Sequence, residues 1–309
     1  MVGSSILSVD RRLDTDYSIW PLAFCQCDMP PEFFGGFAFS NTGMVRVPMI
    51  YTLIAGGEVG GKQHIALVDC GFRNDHWLSR YAFSSWEEPS EVLGRVGFKP
   101  EDVEAILVTH MHFDHIGNFE AFPNAKLYIQ LDEYLGWSDA VCAAHQHETE
   151  EEKAWVFSSF DPTDLIRAAQ GVSEGRVKFV RGDEEILPGV TARLAKDSHT
   201  FGTQWFEVQT RNGPFAVVGD TVYWYSNIEQ MCPPGYYQGN GFNQLRAYRA
   251  IRDLLKQKID RMIPGHDPKV WDRHTSWLAP SGNQIAEVNL RQGDASRRPK
   301  VSTQKIIHV

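Results

Sequence analysis

The sequence predicts an α/β protein built as one large domain or two intimately packed halves, and three observations carry that expectation. Short apolar runs rich in β-branched residues, which read as buried strands, alternate with segments of helical periodicity. Four of these runs end in a histidine or an aspartate, and in α/β sheets ligands gather outside strand ends of this kind. The 309 residues are 42% apolar and 22% charged, an ordinary balance for a globular chain with a sizeable core.

The clearest run covers residues 105–109 and enters His110-Met111-His112-Phe113-Asp114-His115-Ile116-Gly117, after which Gly117 and Asn118 open a helix. The polar cluster therefore sits at a strand-to-helix corner, where several nitrogen and oxygen donors can point into one small volume. Imidazole and carboxylate suit zinc, iron, manganese or nickel. With no thiolate in the cluster, an open catalytic site is favoured over a closed structural zinc site.

Residues 1–43 are rich in aromatics and turn formers, notably Pro30-Pro31-Glu32-Phe33-Phe34-Gly35-Gly36-Phe37. This segment reads as a pocket lid or as a subunit contact that would make a homodimer. Residues 44–290 then read as the main domain, opening with two strands at 45–54 and 64–69. The loop between them nearly spells a P-loop, but Gln63 stands where a magnesium-binding hydroxyl is needed, and a strand follows where a helix should begin. It is read as a hairpin. Asp69, which closes the second strand, suits either a turn or a carboxylate behind metal ligands.

Helical segments are expected at 90–97 and across 132–170, with a strand at 126–129 between them. His145 and His147 are two apart on a helix, so they point to different faces and are read as solvent-facing. Strands at 176–180 and 190–195 lead into Lys196-Asp197-Ser198-His199-Thr200. A hairpin follows, 204–210 and 215–218 around Arg211-Asn212-Gly213, and it ends in Gly219-Asp220. A helix at 242–256 precedes a strand at 259–263 that ends in Pro264-Gly265-His266-Asp267. Residues 291–309 read as a tail carrying Arg297-Arg298-Pro299-Lys300 and closing with a strand at 305–309.

A net charge of -9 excludes broad attraction to nucleic acid or to an anionic membrane. There is no apolar run long enough to span a bilayer and no basic-then-apolar leader, so a cytoplasmic protein is expected. Cys25, Cys27, Cys70, Cys142 and Cys232 are odd in number and scattered, unlike a disulfide framework.

Taken together, His110, His112, Asp114, His115, His199, Asp220 and His266 supply five histidines and two aspartates. That is enough for two metal ions sharing a bridging carboxylate, a site that activates water against a carbonyl or phosphoryl centre.

This ordered series resembles the metallo-β-lactamase superfamily, and the likeness extends from Asp69 to His266. The resemblance implies an αββα sandwich, two packed mixed sheets flanked by helices with the site at the sheet edges. It implies two divalent metal ions, usually zinc, with iron, manganese and cobalt also occurring. His110, His112 and His199 would hold one, Asp114, His115 and His266 the other, and Asp220 would bridge them, with Asp69 behind.

Within the superfamily, Gly97-Phe98-Lys99-Pro100-Glu101-Asp102, Pro188-Gly189-Val190, Asp220-Thr221-Val222-Tyr223 and Gly265-His266-Asp267 resemble the N-acyl-homoserine lactonase-like hydrolases. The likeness implies a small-molecule substrate, a lactone opened by a metal-bridging hydroxide. Tyr223 would donate a hydrogen bond and Asp114 would pass a proton to the leaving alkoxide.

Thr203 stands where that branch commonly has a second histidine, so its acyl-homoserine lactone substrate does not follow. A cyclic amide, a thioester or a phosphodiester is the rival substrate on the same metals. A non-catalytic binding protein would most naturally have lost a ligand, and none is lost. Phe33, Phe34, Phe37, Trp137, Trp155 and Trp224 are candidates for an apolar pocket, or else belong to the core.

Overall fold

A computed structural model of the protein describes residues 15–39, 42–73, 76–146 and 149–300. The larger sheet contains Tyr17–Met29 (β1), Val45–Val59 (β2), Lys62–Val68 (β3), Phe83–Ser84 (β4), Ala105–Leu107 (β5), Lys126–Gln130 (β6) and Val177–Val180 (β7). Glu184–Leu187 (β8), Val190–Leu194 (β9), Gln204–Val208 (β10), Phe215–Gly219 (β11) and Met262–Pro264 (β12) form the smaller one, and Thr275–Leu278 (β13) and Gln284–Glu287 (β14) return to the first. The orders are β13-β14-β1-β2-β3-β5-β6-β7, with β4 on β1, and β12-β11-β10-β9-β8.

The helices are Pro31–Gly35 (α1), Trp77–Arg80 (α2), Pro89–Val92 (α3), Phe113–Ile116 (α4), Leu131–Gln146 (α5), Glu150–Val156 (α6), Pro162–Ser173 (α7), Tyr225–Gln230 (α8), Gly241–Leu254 (α9) and Val270–Arg273 (α10).

Alternation along the strands sorts side chains to opposite faces and so builds the layers. Ile19, Ile54, Ala66, Val68 and Leu107 of the larger sheet meet Ala192, Phe206, Val217 and Ile263 of the smaller. Their neighbours Trp20, Leu53, Leu67 and Ile106 point the other way, onto Trp137 of α5 and Ala168 of α7. Trp205, Ala216 and Val218 face outward from the smaller sheet onto Ile228, Tyr248, Ile251 and Val270. The result is the expected helix–sheet–sheet–helix sandwich.

Residues 15–39 are the described part of the N-terminal segment. β1 is a buried strand hydrogen-bonded between β2 and β14, with Leu22 opposite both Tyr51 and Ile285. The strand expected over 259–263 starts later, because Ile259–Arg261 forms a 3-10 turn ahead of β12. The β2–β3 loop is a tight hairpin, with Gly60 at φ 61° and Gly61 at φ 81°, the pair of positive angles that a two-residue turn of this hand requires. His145 lies within α5, and His147, Met1 to Ser5 and the strand expected at 305–309 fall outside the described residues.

All five cysteines are free. Among the described residues no helix is long and apolar enough to cross a membrane.

Candidate metal centre

β5 delivers the chain to the site already fixed. All three of its residues are buried, and the next two amides are held in turn, Val108 by the Tyr128 carbonyl and Thr109 by Asp69 Oδ1 at 2.7 Å. Beyond the strand, α4 carries Asp114 and His115. Phe113, the first residue of α4, stacks on Trp77 at 3.9 Å with the rings 7° apart. Trp77 in turn donates to Asp161 Oδ2 at the start of α7, so the ligand loop is pinned to a helix.

Four of the five histidines are oriented by a fixed acceptor on their outer nitrogen. His115 Nδ1 donates to Asp69 Oδ2 at 2.8 Å, and His266 Nδ1 to the Pro48 carbonyl at 3.0 Å. Thr109 Oγ1 gives its own proton to Asp69 Oδ2, which leaves it to accept from His110 Nδ1 at 3.0 Å. His112 Nε2 meets Gln238 Oε1 at 2.9 Å, while the Gln238 amide nitrogen donates to the Trp155 and Val156 carbonyls. With the outer nitrogen protonated, the inner one presents its lone pair, as metal-binding imidazoles do.

The inner donors converge in two groups, His110, His112, His199 with Asp220, and Asp114, His115 with His266. Asp220 Oδ2 lies 3.3 Å from His115 Nε2, 3.6 Å from His199 Nε2 and 3.7 Å from His110 Nε2, and Oδ1 lies 3.1 Å from His266 Nε2. Donors about 2.0–2.1 Å from a common tetrahedral centre stand roughly 3.3 Å apart, so this spacing is that of a coordination shell. His110 Nε2, His115 Nε2 and Asp220 Oδ1 are buried without a hydrogen-bond partner, which an ion between them would resolve. The residues therefore fit a divalent metal site.

The electrostatics divide the histidines. Burial pushes His112 down to about 4 and His199 to about 3, and drives His110 well below the ordinary imidazole range. Burial acts the same way on His115 and His266, but there the carboxylates of Asp114 and Asp220 outweigh it and both are raised. Asp220 is buried too, yet His266 and His115 hold it well below the usual carboxylate range.

Tyr223 is buried, its ring centroid 5.3 Å from His199 and 5.5 Å from His266. Burial first, and the charge of Asp220 second, raise its hydroxyl far above the usual tyrosine value.

Of the aromatic candidates, Phe33 and Phe34 line a cavity over the two groups. The others do not. Trp224 stacks on Phe34 and donates to the His266 carbonyl, Trp137 stacks on Phe160 at 4.0 Å, and Phe37 and Trp155 are 89% and 55% exposed.

Two residues that no sequence pattern singled out organise the site. Gln238 is one, and its backbone amide also donates to the His199 carbonyl. The other is Glu133, on α5, whose buried carboxylate accepts from Met111 N, Trp137 Nε1, Thr200 Oγ1 and Gly202 N and so ties both ligand loops to one helix. Thr203 belongs to the same knot, its hydroxyl accepting from the Thr200 amide at 2.8 Å. Glu133→Ala leaves several buried donors unpaired at once and is expected to lower stability by about 3 kcal/mol or more. Urea unfolding measures the loss, and a change under about 1 kcal/mol would count against the fastening role.

A family model described as the metallo-beta-lactamase superfamily matches residues 52–266. The chain belongs to that superfamily. Among its curated relatives, an N-acyl homoserine lactonase of a Bacillus species is 28% identical over 180 residues, 57% of this chain and 60% of that protein. The lactonase AttM of Agrobacterium fabrum is 25% identical over 177 residues, 57% of this chain and 62% of its own. The matches thus span about three fifths of the curated relatives.

Among solved structures, a Bacillus thuringiensis AiiA mutant with N-decanoyl-L-homoserine at its active site aligns over 82% of this chain and 95% of its own, with a TM-score of 0.60 and 20% identity. A probable metal-dependent hydrolase from Staphylococcus aureus aligns over 82% and 90%, with a TM-score of 0.64 and 17% identity. Both structures share the fold described above.

Proposed function

We propose that the chain is a metal-dependent hydrolase that opens a lactone. The observation that carries the reading is the convergence of seven side chains from four strand ends, with their inner nitrogen and oxygen atoms aimed at two adjoining centres. His110, His112 and His199 would hold one divalent ion and Asp114, His115 and His266 a second, with Asp220 shared. Zinc, iron, manganese and cobalt all accept such donors. Two ions held there would polarise a carbonyl oxygen and make water a competent nucleophile near neutral pH.

The protein's own groups do the rest. The apolar walls of the cavity exclude water around the reacting ester, which strengthens every electrostatic contact inside. Tyr223 keeps its proton because burial and Asp220 raise its pKa, so it would donate a hydrogen bond to the oxygen on which charge develops. Asp114 faces the same cavity, and its carboxylate would take up the proton lost by the attacking water and pass it to the departing ring oxygen. The lactonase relatives favour an ester over an amide or a phosphodiester.

Turnover of acyl-homoserine lactones, simple γ- and δ-lactones, a cephalosporin, a thioester and a phosphodiester by metal-loaded and metal-stripped protein tests the reading. Metal-dependent opening of at least one lactone is expected. Turnover confined to the other three classes would overturn it. Tyr223→Phe is expected to lower kcat by about 10- to 100-fold with metal content unchanged, and a kcat within about twofold of the parent would remove Tyr223 from the scheme.

A further inference from the structure

The cavity over the two donor groups has a volume of about 120 Å³, small beside the roughly 300–1,000 Å³ of typical ligand pockets. His112, Asp114, Asp220 and His266 form its floor, and Met29, Phe33, Met49, Phe83 and Tyr236 are part of its wall. No lysine or arginine is among the described residues that line it. Phe33 and Tyr236 stack on each other at 4.8 Å and 10°, so one side of the wall is a rigid aromatic pair.

Apart from Tyr223, the hydroxyl groups around the cavity give their protons to the protein itself. Ser158 Oγ donates to the Trp155 carbonyl at 2.7 Å, so in its 2.7 Å contact with Tyr236 the phenol is the donor. Ser159 Oγ donates to Tyr236 at 3.1 Å, and Tyr81 donates to the Ser158 carbonyl. A substituent that enters above the floor therefore meets hydrocarbon, aromatic rings and oxygen atoms whose protons point elsewhere. An anionic substituent held against this wall, away from the floor, would be stripped of water with no wall donor and no Lys or Arg in exchange, whereas a hydrocarbon group gains from burial.

On the lactonase reading above, we propose that the preferred substrate is a compact, uncharged lactone whose substituent is purely hydrocarbon, alkyl or aryl, and that lactones carrying a carboxylate or an acylamino arm are poor substrates. The wall residues Met29, Phe33, Met49, Phe83 and Tyr236 set this preference.

The test uses the full, metal-loaded chain and four γ-lactones matched in ring, bearing a short alkyl group, a phenyl group, a carboxylate or an acylamino group. For the alkyl and phenyl compounds kcat/KM is expected to exceed that for the carboxylate by about 100-fold or more, with the acylamino lactone in between. Met29→Lys, and Phe83→Lys as a second variant, are expected to raise the carboxylate-to-alkyl ratio by at least about tenfold by supplying the missing cation.

Carboxylate or acylamino lactones turned over within about threefold of the alkyl lactone would overturn the proposal and leave the lactonase reading standing. So would two folded lysine variants with an unchanged ratio. Failure to open any of the four, or any lactone of the wider panel, would sink the lactonase reading and this inference together.

Discussion

Asp220→Ala is expected to lower kcat/KM by at least about 10³-fold, some 4 kcal/mol of transition-state stabilisation, and to reduce bound metal from two ions per chain to one or fewer. Its two oxygens lie within 3.1–3.7 Å of the inner nitrogens of four histidines, so removing them takes a donor from both groups at once. The histidines respond in a way that does not compensate. His115 and His266 owe part of their raised pKa to this carboxylate, and without it they release protons more readily and keep only Asp114 between them. Asp220→Asn keeps the shape and loses the charge, and it should fall nearly as far. Metal analysis beside steady-state kinetics checks both variants. Two tightly held ions with activity within about tenfold of the parent would remove Asp220 from the shared position.

Gly265→Ala, the second large effect, involves no change in any donor. A methyl group on Gly265 would overlap Asp220 Oδ1 and sit at the limit of approach to the Gly219 backbone. The carboxylate has little room to retreat, since Gln244 Nε2 reaches the Asp220 carbonyl at 3.4 Å and the neighbouring histidines close the other sides. Gly265 has no left-handed φ to protect, so the chain tolerates alanine locally and the strain falls on the site. A loss of about 100-fold or more in kcat/KM is expected, with the unfolding midpoint moved by only a few degrees. A variant of near-parental activity would mean that Asp220 has slack the packing does not reveal.

The donors were legible in the sequence because each sits where an apolar run stops, and that boundary is written locally. The αββα arrangement followed from the family likeness and from the alternation of strands and helices, and the structure has it. β1 escaped for a physical reason. Tyr17–Met29 is covered on both faces, so it has no polar alternation, and Pro21 within it reads as a strand breaker although it pairs with Thr52. β13 and β14 are four residues each, too short for a period to register. Glu133 and Gln238 were illegible in another sense. Their importance lies in partners drawn from distant parts of the chain, Met111 and Thr200 for one, His112 and Trp155 for the other. Asp69 was open between a turn and a supporting carboxylate, and it is both. Its φ is 63° and its oxygens hold Thr109 and His115.

β1 also sets a timetable for biosynthesis. Among the described residues it is the first strand made, yet on one of its two long edges only Gln26 and Cys27 find a partner, in β4, until β14, more than two hundred residues later, has been made. For most of translation that apolar strand is paired along its length on β2 alone, and the rest of its other edge is open to any passing strand. Nascent chains halted before Thr275 should therefore aggregate although they already carry His266 and every other metal-binding donor. Full-length chains should acquire protease resistance only after the final hairpin docks, a step that pulse-labelled synthesis followed by limited proteolysis would time.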